Sequence, residues 1–254
     1  MTRFEFFLIT SLIVCIPLLV QNQGSRDEFI VWNVGQGLWT TLVKDETCHH
    51  FDMGGEHAPW RTIESLCGRR ANRLHFSHWD WDHISFAEKF ASRIRTVCVH
   101  APPAGEGSAW KKRKLARIPL CGTRSQTARE ISFPARKLKS NDASRIFVLN
   151  ERLLLPGDST ARTEKIWARA LPSSIAWLIL GHHGSQTSTS PTLLAQLPRL
   201  RVAIASARRE KYGHPHKSVM ERVSAARVAL LKTEDWGHLR MEWKDGGSAK
   251  PPAP

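Results

Sequence analysis

The seven residues 77–83 constrain this chain more than any other stretch, because two histidines and two aspartates lie within them. They read Ser-His-Trp-Asp-Trp-Asp-His. The preceding run 72–76 alternates polar and apolar residues and predicts a strand, and the residues from Ile84 onward predict a helix. Imidazoles and carboxylates without thiolates suit Zn²⁺, Mn²⁺ or Fe²⁺. We therefore predict a metal site here rather than a solvated polar loop.

A strongly basic segment follows the cluster. The chain of 254 residues is 41% hydrophobic, which fits a packed globular body, and its formal net charge is +14. Residues 111–139 contain ten lysines and arginines and one acid, Glu130. Such a concentration suits a polyanion such as nucleic acid, or an anionic membrane surface, and a mobile solubilising insertion at 104–140 is the alternative. Trp110 and Phe133 could stack on bases there, although core or hinge positions suit both better.

The five cysteines show no C-x-x-C spacing, which argues against a zinc ribbon or a thioredoxin-like site. Cys15 lies in the N-terminal apolar run. The other four, Cys48, Cys67, Cys98 and Cys121, could form two disulfides if the domain is exported, and Cys98 and Cys121 would then close the base of the basic insertion. Four buried free thiols are the alternative.

The N-terminal residues 4–20 are almost entirely apolar. The run has the length of a signal-peptide hydrophobic region and is marginal for a membrane span. Because no Ala-x-Ala cleavage site follows, we predict that residues 1–24 are an uncleaved membrane anchor with the domain outside the cytoplasm. Cleavage would make the protein periplasmic or secreted. Residues 25–245 then form a single domain, and 246–254 form a flexible tail.

The remaining pattern predicts a mixed α+β fold. Three short strands with glycine-rich turns precede the metal cluster, and strands alternate with helices after it. His49 and His50 are adjacent in the third strand and point to opposite faces, so at most one can face a site and surface positions are favoured.

Further candidate ligands follow other predicted strands. Asp158 ends the hairpin 145–155, His182 and His183 end the apolar strand 175–180, and His214 precedes a helix. Sites collect at the carboxyl ends of strands in layered folds, so we expect these turns to converge. The predicted metal ligands are His78, Asp80, Asp82, His83, Asp158 and His214.

Two metal ions would explain this number of ligands. A carboxylate between two cations can bridge them at roughly 3.5–4 Å, and Asp158 is the natural candidate. Such a pair lowers the pKa of a bridging water and neutralises phosphoryl charge, so that no protein nucleophile is needed. The sequence has no Ser/His/Asp or Cys/His signature that would supply one.

The motifs resemble, in order, those of a known family. Ser-His-x-Asp-x-Asp-His is similar to the metal motif of the metallo-β-lactamase fold, with Asp80 replacing the usual second histidine. The other segments resemble the C-terminal hydrolase-like domain of ComEC-type DNA-uptake (competence) proteins. They are Val34-Gly35-Gln36-Gly37, Phe51-Asp52-Met53-Gly54-Gly55, Leu154-Leu155-Pro156-Gly157-Asp158, Gly181-His182-His183-Gly184-Ser185 with Thr187-Ser188, and Tyr212-Gly213-His214-Pro215-His216. The resemblance extends from residue 29 to about residue 243.

The resemblance implies an αββα sandwich, two divalent metal ions (Zn²⁺ or Mn²⁺) and hydrolysis of a phosphodiester, with DNA as the expected substrate. It also implies a separate polytopic channel protein as partner. The expected catalytic residues are Asp82, His182 and His183, the two histidines being either ligands or donors to the scissile phosphate. The expected substrate-binding residues are Ser185, Thr187, Lys111, Lys112, Arg113 and His216. A helix N-cap role before Pro191 is the alternative for Ser185 and Thr187.

Two departures from the family pattern keep other functions open. Asn33 and Leu38 replace the two acids of the family's opening Asp-Val-Gly-Gln-Gly-Asp. The usual third ligand of the first metal is not evident: Asn141 or Asp142 is nearest to its place, and His100 is a less favoured substitute. Non-catalytic DNA binding beside a channel is therefore one alternative. Hydrolysis of another phosphoester or a lactone is the other, because a fold does not fix the substrate.

Overall fold

The computed structural model describes residues 27–122, 127–134, 138 and 140–243. The predicted anchor 1–24 and tail 246–254 lie outside the described residues, as do parts of the basic insertion. In the described part of the chain, no helix is both long enough and apolar enough to cross a bilayer.

Two six-stranded sheets form the centre of the molecule. The strands are β1 (Asp27–Val31), β2 (Trp39–Lys44), β3 (Thr47–Met53), β4 (Ala71–His75), β5 (Val97–Val99), β6 (Ala128–Ile131), β7 (Ile146–Leu149), β8 (Leu153–Leu155), β9 (Trp177–Ile179), β10 (Val202–Ala205), β11 (Ala229–Lys232) and β12 (Leu239–Trp243). The first sheet has the order β12-β1-β2-β3-β4-β5, and the second has the order β11-β10-β9-β8-β7-β6.

Both sheets change from antiparallel to parallel pairing. In the first sheet β12, β1, β2 and β3 are antiparallel, whereas β4 is parallel to β3 and to β5. In the second, β7 and β8 form the predicted antiparallel hairpin, and β8 to β11 are parallel. The carboxyl ends of parallel strands lie at one edge, so the loops after β3 and β4 are neighbours, as are those after β8, β9 and β10.

Helices cover the outer face of each sheet. They are α1 (Trp60–Cys67), α2 (Trp81–Ile84), α3 (Ala87–Arg93), α4 (Ala109–Leu115), α5 (Ala161–Trp167), α6 (Pro191–Ala195), α7 (Arg209–Tyr212), α8 (Lys217–Ala225) and α9 (Thr233–Trp236). Residues of α1 to α4 share an apolar cluster with the first sheet, and residues of α5, α6 and α8 share one with the second.

Alternation along the strands produces these layers. Phe29 and Val31 of β1 lie in the apolar cluster between the sheets, whereas Ile30 lies among the helices on the outer face. In β7, Phe147 points inward and Val148 outward. A strand places successive side chains on opposite faces, so an apolar run can serve both layers. The predicted αββα sandwich is confirmed.

Two disulfides are present, Cys48–Cys67 and Cys98–Cys121. The first joins β3 to α1. The second joins β5 to the residue that follows the turn after α4, and therefore closes the base of the basic insertion. Of the two alternatives for these cysteines, the structure has the paired form.

The basic insertion is packed rather than loose in its described part. It contributes α4 to the helices of the first sheet and the edge strand β6 to the second. Leu115 and Ile118 are buried in the same cluster as Trp79. Phe133 packs against the second sheet's cluster, whereas Trp110 is exposed, so that of the core and hinge positions predicted for both, the core position is wrong for Trp110.

His49 and His50 are both buried, so the surface prediction for them is wrong. The reason is that β3 is a central strand covered on both faces. The Nδ1 atom of His50 accepts a hydrogen bond from the Trp39 indole, and its Nε2 atom lies 3.0 Å from the Asn72 side-chain oxygen. Burial lowers the pKa of His50 to about 4, because the Asn72 hydrogen bond only partly offsets the loss of water.

We expect the free energy of unfolding to fall as the pH drops from 6.5 towards 4. Folded His50 stays neutral down to about pH 4, whereas the unfolded side chain takes up a proton near its ordinary pKa of 6.5. The unfolded state therefore binds more protons in this window, and stability is lost as the pH falls. At about 1.4 kcal/mol per pKa unit, His50 accounts for a loss of about 3 kcal/mol. Urea unfolding across the window measures it.

A His50→Gln variant is the control, since glutamine can donate and accept hydrogen bonds but does not titrate. Its stability should depend less steeply on pH, by about the contribution assigned to His50. Parallel stability curves for the variant and the wild type would mean that another group carries the acid sensitivity.

Candidate metal centre

The loops that follow several strands meet at one edge of the sandwich, as the sequence predicted. Each supplies buried or half-buried polar side chains to a single cluster. The contributing residues are Asp52 at the end of β3, His78, Asp80, Asp82 and His83 after β4, Asp158 after β8, and His182 and His183 after β9.

Asp158 lies at the middle of this cluster. Its Oδ1 atom is 2.9 Å from His83 Nε2, and its Oδ2 atom is 3.7 Å from His78 Nε2 and 3.8 Å from His183 Nε2. The side chain is buried, and its backbone N–H donates to Ser144 Oγ. Asp158 therefore faces imidazoles from two different loops, which is the position expected of a shared ligand.

His183 and Asp82 lie on one side of the centre. The Nδ1 atom of His183 is 3.1 Å from the Ser206 carbonyl oxygen, which orients Nε2 towards Asp82 Oδ2, also 3.1 Å away. His182 and His183 have φ values of 51° and 56°, a left-handed conformation that is uncommon outside glycine and is found at functional sites. This local backbone turns both imidazoles towards Asp158.

His78 and Asp80 lie on the other side. His78 Nε2 is 3.5 Å from Asp80 Oδ2, and the Ser140 hydroxyl, at the end of the basic insertion, donates to Asp80 Oδ1 at 2.7 Å. Asn141 Nδ2 lies 3.5 Å from His182 Nε2. The insertion thus ends at the edge of the centre and holds one of its carboxylates.

Asp52 lies behind the proposed ligands and orients them through hydrogen bonds, although no role was predicted for it from the sequence. Its Oδ2 atom accepts hydrogen bonds from His83 Nδ1 and the Ser77 hydroxyl, both at 2.7 Å, and its Oδ1 atom accepts from the Ser77 N–H. Its φ of 53° turns the carboxylate under the loop. A buried aspartate between an apolar strand and the pair Gly54-Gly55 was the available signal.

These contacts determine which ring nitrogens face the centre. His83 donates from Nδ1 to Asp52, and His78 Nδ1 faces the Ser77 hydroxyl at 2.9 Å, so both rings direct Nε2 inward. Carboxylate or hydroxyl partners on the outer nitrogen are typical of histidines that bind metals.

The residues fit a divalent cation. The Nε2 atom of His78 is buried without a hydrogen-bond partner among the described residues, the carboxylate oxygens of Asp80 and Asp158 lying 3.5 and 3.7 Å away. Unpaired buried polar atoms are rare unless a ligand or ion completes them. Two groups have ligand atoms close enough to share a cation: His78 with His83 and Asp158, and Asp82 with His83 and His183.

The electrostatics of the cluster also favour a cation. Burial opposes the charge on His83, but the carboxylates of Asp158 and Asp52 outweigh it and raise the pKa of His83 well above its usual range. Burial likewise disfavours the Asp158 anion, yet His83 and His183 hold the pKa of Asp158 well below its usual range. Positive charge at this point is thus strongly stabilised, and a metal ion would replace those protons.

Other predicted residues lie near the centre or away from it. The His214 ring is 6.1 Å from the His182 ring, and its Nδ1 atom contacts Gln36, so His183 rather than His214 faces Asp82. Thr187 Oγ1 lies 3.4 Å from His182 Nδ1 and 3.0 Å from Ser185 Oγ. His216 caps α8 by accepting from the Ser218 N–H.

The basic candidates differ among themselves. The Lys111 ammonium donates to the Trp79 carbonyl oxygen at 2.7 Å, whereas Lys112 and Arg113 are exposed on α4. Lys111 therefore holds the insertion to the loop that carries the ligands, and the two neighbouring side chains are available to a partner.

Of the three residues considered as the third ligand of the first metal, one lies near the centre. Asn141 reaches the cluster, Asp142 accepts instead from the Thr160 hydroxyl, and His100 stacks on His75 with the ring centroids 4.7 Å apart. Asn33 and Leu38 stand where the family pattern has two acids. The Asn33 side-chain oxygen accepts a hydrogen bond from the Gly35 N–H, and Leu38 is buried with its N–H donating to the Asp82 carbonyl oxygen. Leu38 thus supports the ligand loop through its backbone.

No protein-family model matches the chain. Among solved structures, a diphosphatase of the PhnP family superposes with a TM-score of 0.53 at 10% identity, covering 85% of this chain and 98% of that one. The metallo-hydrolase Igni18 from Ignicoccus hospitalis superposes with a TM-score of 0.52 at 11% identity, covering 85% and 100%. The metallo-β-lactamase fold protein YhfI from Bacillus subtilis gives 0.49 at 10% identity, covering 81% and 95%.

Three curated relatives are similar in sequence. Recombination protein 2 of Haemophilus influenzae is 28% identical over 91% of this chain, and competence protein ComA of Neisseria gonorrhoeae is 30% identical over 85%. ComE operon protein 3 of Bacillus subtilis is 23% identical over 79%. The chain spans about a third of the length of each, the shares being 31%, 32% and 28%.

The two helix-covered sheets, with a His/Asp cluster on the loops at one edge, define a protein of the metallo-β-lactamase fold. Within that class, its sequence relatives are competence proteins of the ComEC type, of which the chain covers about a third.

Proposed function

We propose that this protein is a metal-dependent phosphodiesterase that cleaves DNA in connection with DNA uptake. The observation that carries the proposal is the position of Asp158, a buried carboxylate surrounded by His78, His83 and His183, with the unpaired Nε2 atom of His78 directed at it.

The residues of the centre would have three roles: to hold metal ions, to orient the ligands and to donate a hydrogen bond to the substrate. His78, Asp80, Asp82, His83, Asp158 and His183 would hold two divalent ions, Zn²⁺ or Mn²⁺, with His214 close by. When bound, such ions neutralise charge on a phosphoryl oxygen and lower the pKa of a water molecule. Asp52 and Ser77 keep the Nε2 atoms of His83 and His78 facing inward. Partly exposed His182, whose pKa is lowered chiefly by burial, is neutral near pH 7 and can donate a hydrogen bond to a phosphoryl oxygen.

DNA is the favoured substrate because of what surrounds the centre. The exposed cations of α4 lie on an insertion that packs on the ligand-bearing loop, and lysine and arginine hold a phosphate backbone without reading sequence. The relatives are named as recombination and competence proteins. Both observations support a polyanionic substrate.

We also propose that the domain works outside the cytoplasm. Disulfides are typical of oxidising compartments, and this domain contains two of them. The apolar residues 4–20 would supply a membrane anchor or a cleaved signal. Because the relatives are named as competence proteins, a polytopic membrane protein that would form the channel for DNA is the proposed partner.

Hydrolysis of DNA by the purified full-length chain tests the proposal. We expect cleavage of linear DNA and of bis(p-nitrophenyl) phosphate in Mn²⁺ or Zn²⁺, and loss of both activities in EDTA, because the donor set suits a divalent cation. Hydrolysis of only small phosphoesters or a lactone would assign the centre to another substrate. DNA binding without hydrolysis in any metal would indicate a non-catalytic accessory of a channel.

A further inference from the structure

Two large aromatic side chains are exposed beside the metal centre. Trp81 and Trp110 have exposed fractions of 44% and 48%. Their ring centroids are 5.0 Å apart with 37° between the planes. Trp81 lies in the chain between Asp80 and Asp82, so this tilted aromatic pair adjoins the proposed ligands. Tryptophan is usually buried, and an exposed aromatic pair at a site therefore indicates a binding surface.

The pair is held in place by the packing of the insertion. Gly107 lies against the Trp79 ring so closely that any side chain would collide with it. Lys111 donates to the Trp79 carbonyl oxygen, and the Cys98–Cys121 disulfide closes the loop that carries α4. Trp110 is thus kept next to Trp81 although neither belongs to the core, which makes the surface preorganised.

The helix that carries Trp110 is rich in positive charge. The Lys114 ammonium lies 4.8 Å from the Trp110 ring centroid and also pairs with Glu88. Lys112 and Arg113 are exposed, and no acidic side chain of the described residues pairs with either. Flat apolar faces beside unpaired cations complement a nucleobase beside its phosphate.

We propose that Trp81 and Trp110 form a platform on which unpaired bases of single-stranded DNA stack, while Lys112 and Arg113 hold the adjoining phosphates. The inference rests on the proposed function, since it names the form of DNA that the centre would take. Bases in a duplex are stacked on each other and cannot offer a free face, so the platform selects a single strand. An anionic membrane is less suited, because the pair adjoins the carboxylates of Asp80 and Asp82, which an anionic surface repels.

Binding measured without metal tests this inference separately from hydrolysis. Fluorescence anisotropy in EDTA compares labelled oligo(dT), an abasic strand of equal length and a duplex. The wild type should bind oligo(dT) about tenfold more tightly than the abasic strand, because stacking on an aromatic ring strengthens binding per base. Trp110→Ala should remove this preference, and Trp110→Phe should retain most of it. Trp236→Ala, at another exposed tryptophan, should bind like the wild type.

The phosphate contacts have their own variants. Lys112→Ala and Arg113→Ala should weaken binding of oligo(dT) and of the abasic strand equally, with a shallower salt dependence. An unchanged preference for oligo(dT) in Trp110→Ala would overturn the platform. The platform would also be overturned if Trp110→Ala weakened binding to anionic lipid vesicles but not to oligo(dT). DNA hydrolysis without any preference for bases would refute the platform alone, whereas the preference without hydrolysis would refute the proposed enzyme alone.

Discussion

Asp158→Asn is expected to lower phosphodiester hydrolysis by about 1,000-fold or more and to abolish the rise in melting temperature on adding Mn²⁺ or Zn²⁺. The carboxylate faces His78, His83 and His183 at once. An amide has no negative charge, and its NH₂ group would point at nitrogen lone pairs that a cation needs. Losing one shared ligand removes several kcal/mol of charge stabilisation, and about 1.4 kcal/mol corresponds to a factor of ten. Steady-state kinetics and thermal melts with and without metal measure both effects.

The matched control is Asp45→Asn, the same chemical change at an exposed turn between β2 and β3. Asp45 has a φ of 49°, which asparagine tolerates, so this variant should keep the activity and metal response of the wild type. If Asp158→Asn folds by circular dichroism and is still stabilised by metal as the wild type is, Asp158 is not the shared ligand.

Asp52→Asn is expected to weaken metal binding by roughly 10- to 100-fold although Asp52 does not itself face the centre. The asparagine NH₂ would donate to His83 Nδ1, which moves the ring proton to Nε2, the atom directed at Asp158. The inward lone pair is then lost while the fold persists, because asparagine accepts the φ of 53° at this position. Isothermal titration with Zn²⁺ or Mn²⁺ measures the change in affinity.

Asp52→Ala separates positioning from stability. Alanine removes the acceptor for the His83 N–H and for both donors of Ser77, leaving buried polar groups unpaired. We expect the free energy of unfolding to drop by about 3 kcal/mol as well. Asp27→Asn, which alters a carboxylate that pairs with Lys44 in the same sheet, should change neither property of the centre. Equal metal affinities for Asp52→Asn and the wild type would rule out the positioning role.

The cluster at 77–83 was predictable because its ligands are near neighbours in sequence. A turn after one strand places His78 and His83 within a few residues, so the spacing alone predicts a shared site. The opposite holds for His183: its approach to Asp82 depends on the left-handed backbone at residues 182 and 183, which the sequence pattern does not reveal. His214 was therefore predicted as a metal ligand, whereas the role of His183 was left open between ligand and donor.

Burial was the other quantity that local patterns predicted poorly. His49 and His50 are polar residues in a strand, and the pattern does not say that helices and a second sheet cover both faces of β3. Trp110 was misjudged in the opposite direction, because an aromatic residue is usually buried but this one lies on the exposed side of a short helix.

The sequence by itself determined the strand and helix alternation and the donor types of the centre, since these follow from periodicity and from residues close together along the chain. The αββα class was implied by the resemblance of the motifs to a known family. Only the tertiary structure decided which donors meet, that Asp52 orients His83, that the cysteines pair as Cys48–Cys67 and Cys98–Cys121, and that the Trp110 ring contacts the Trp81 ring. Those contacts join residues far apart in the chain, and their distances depend on how the sheets, helices and insertion pack.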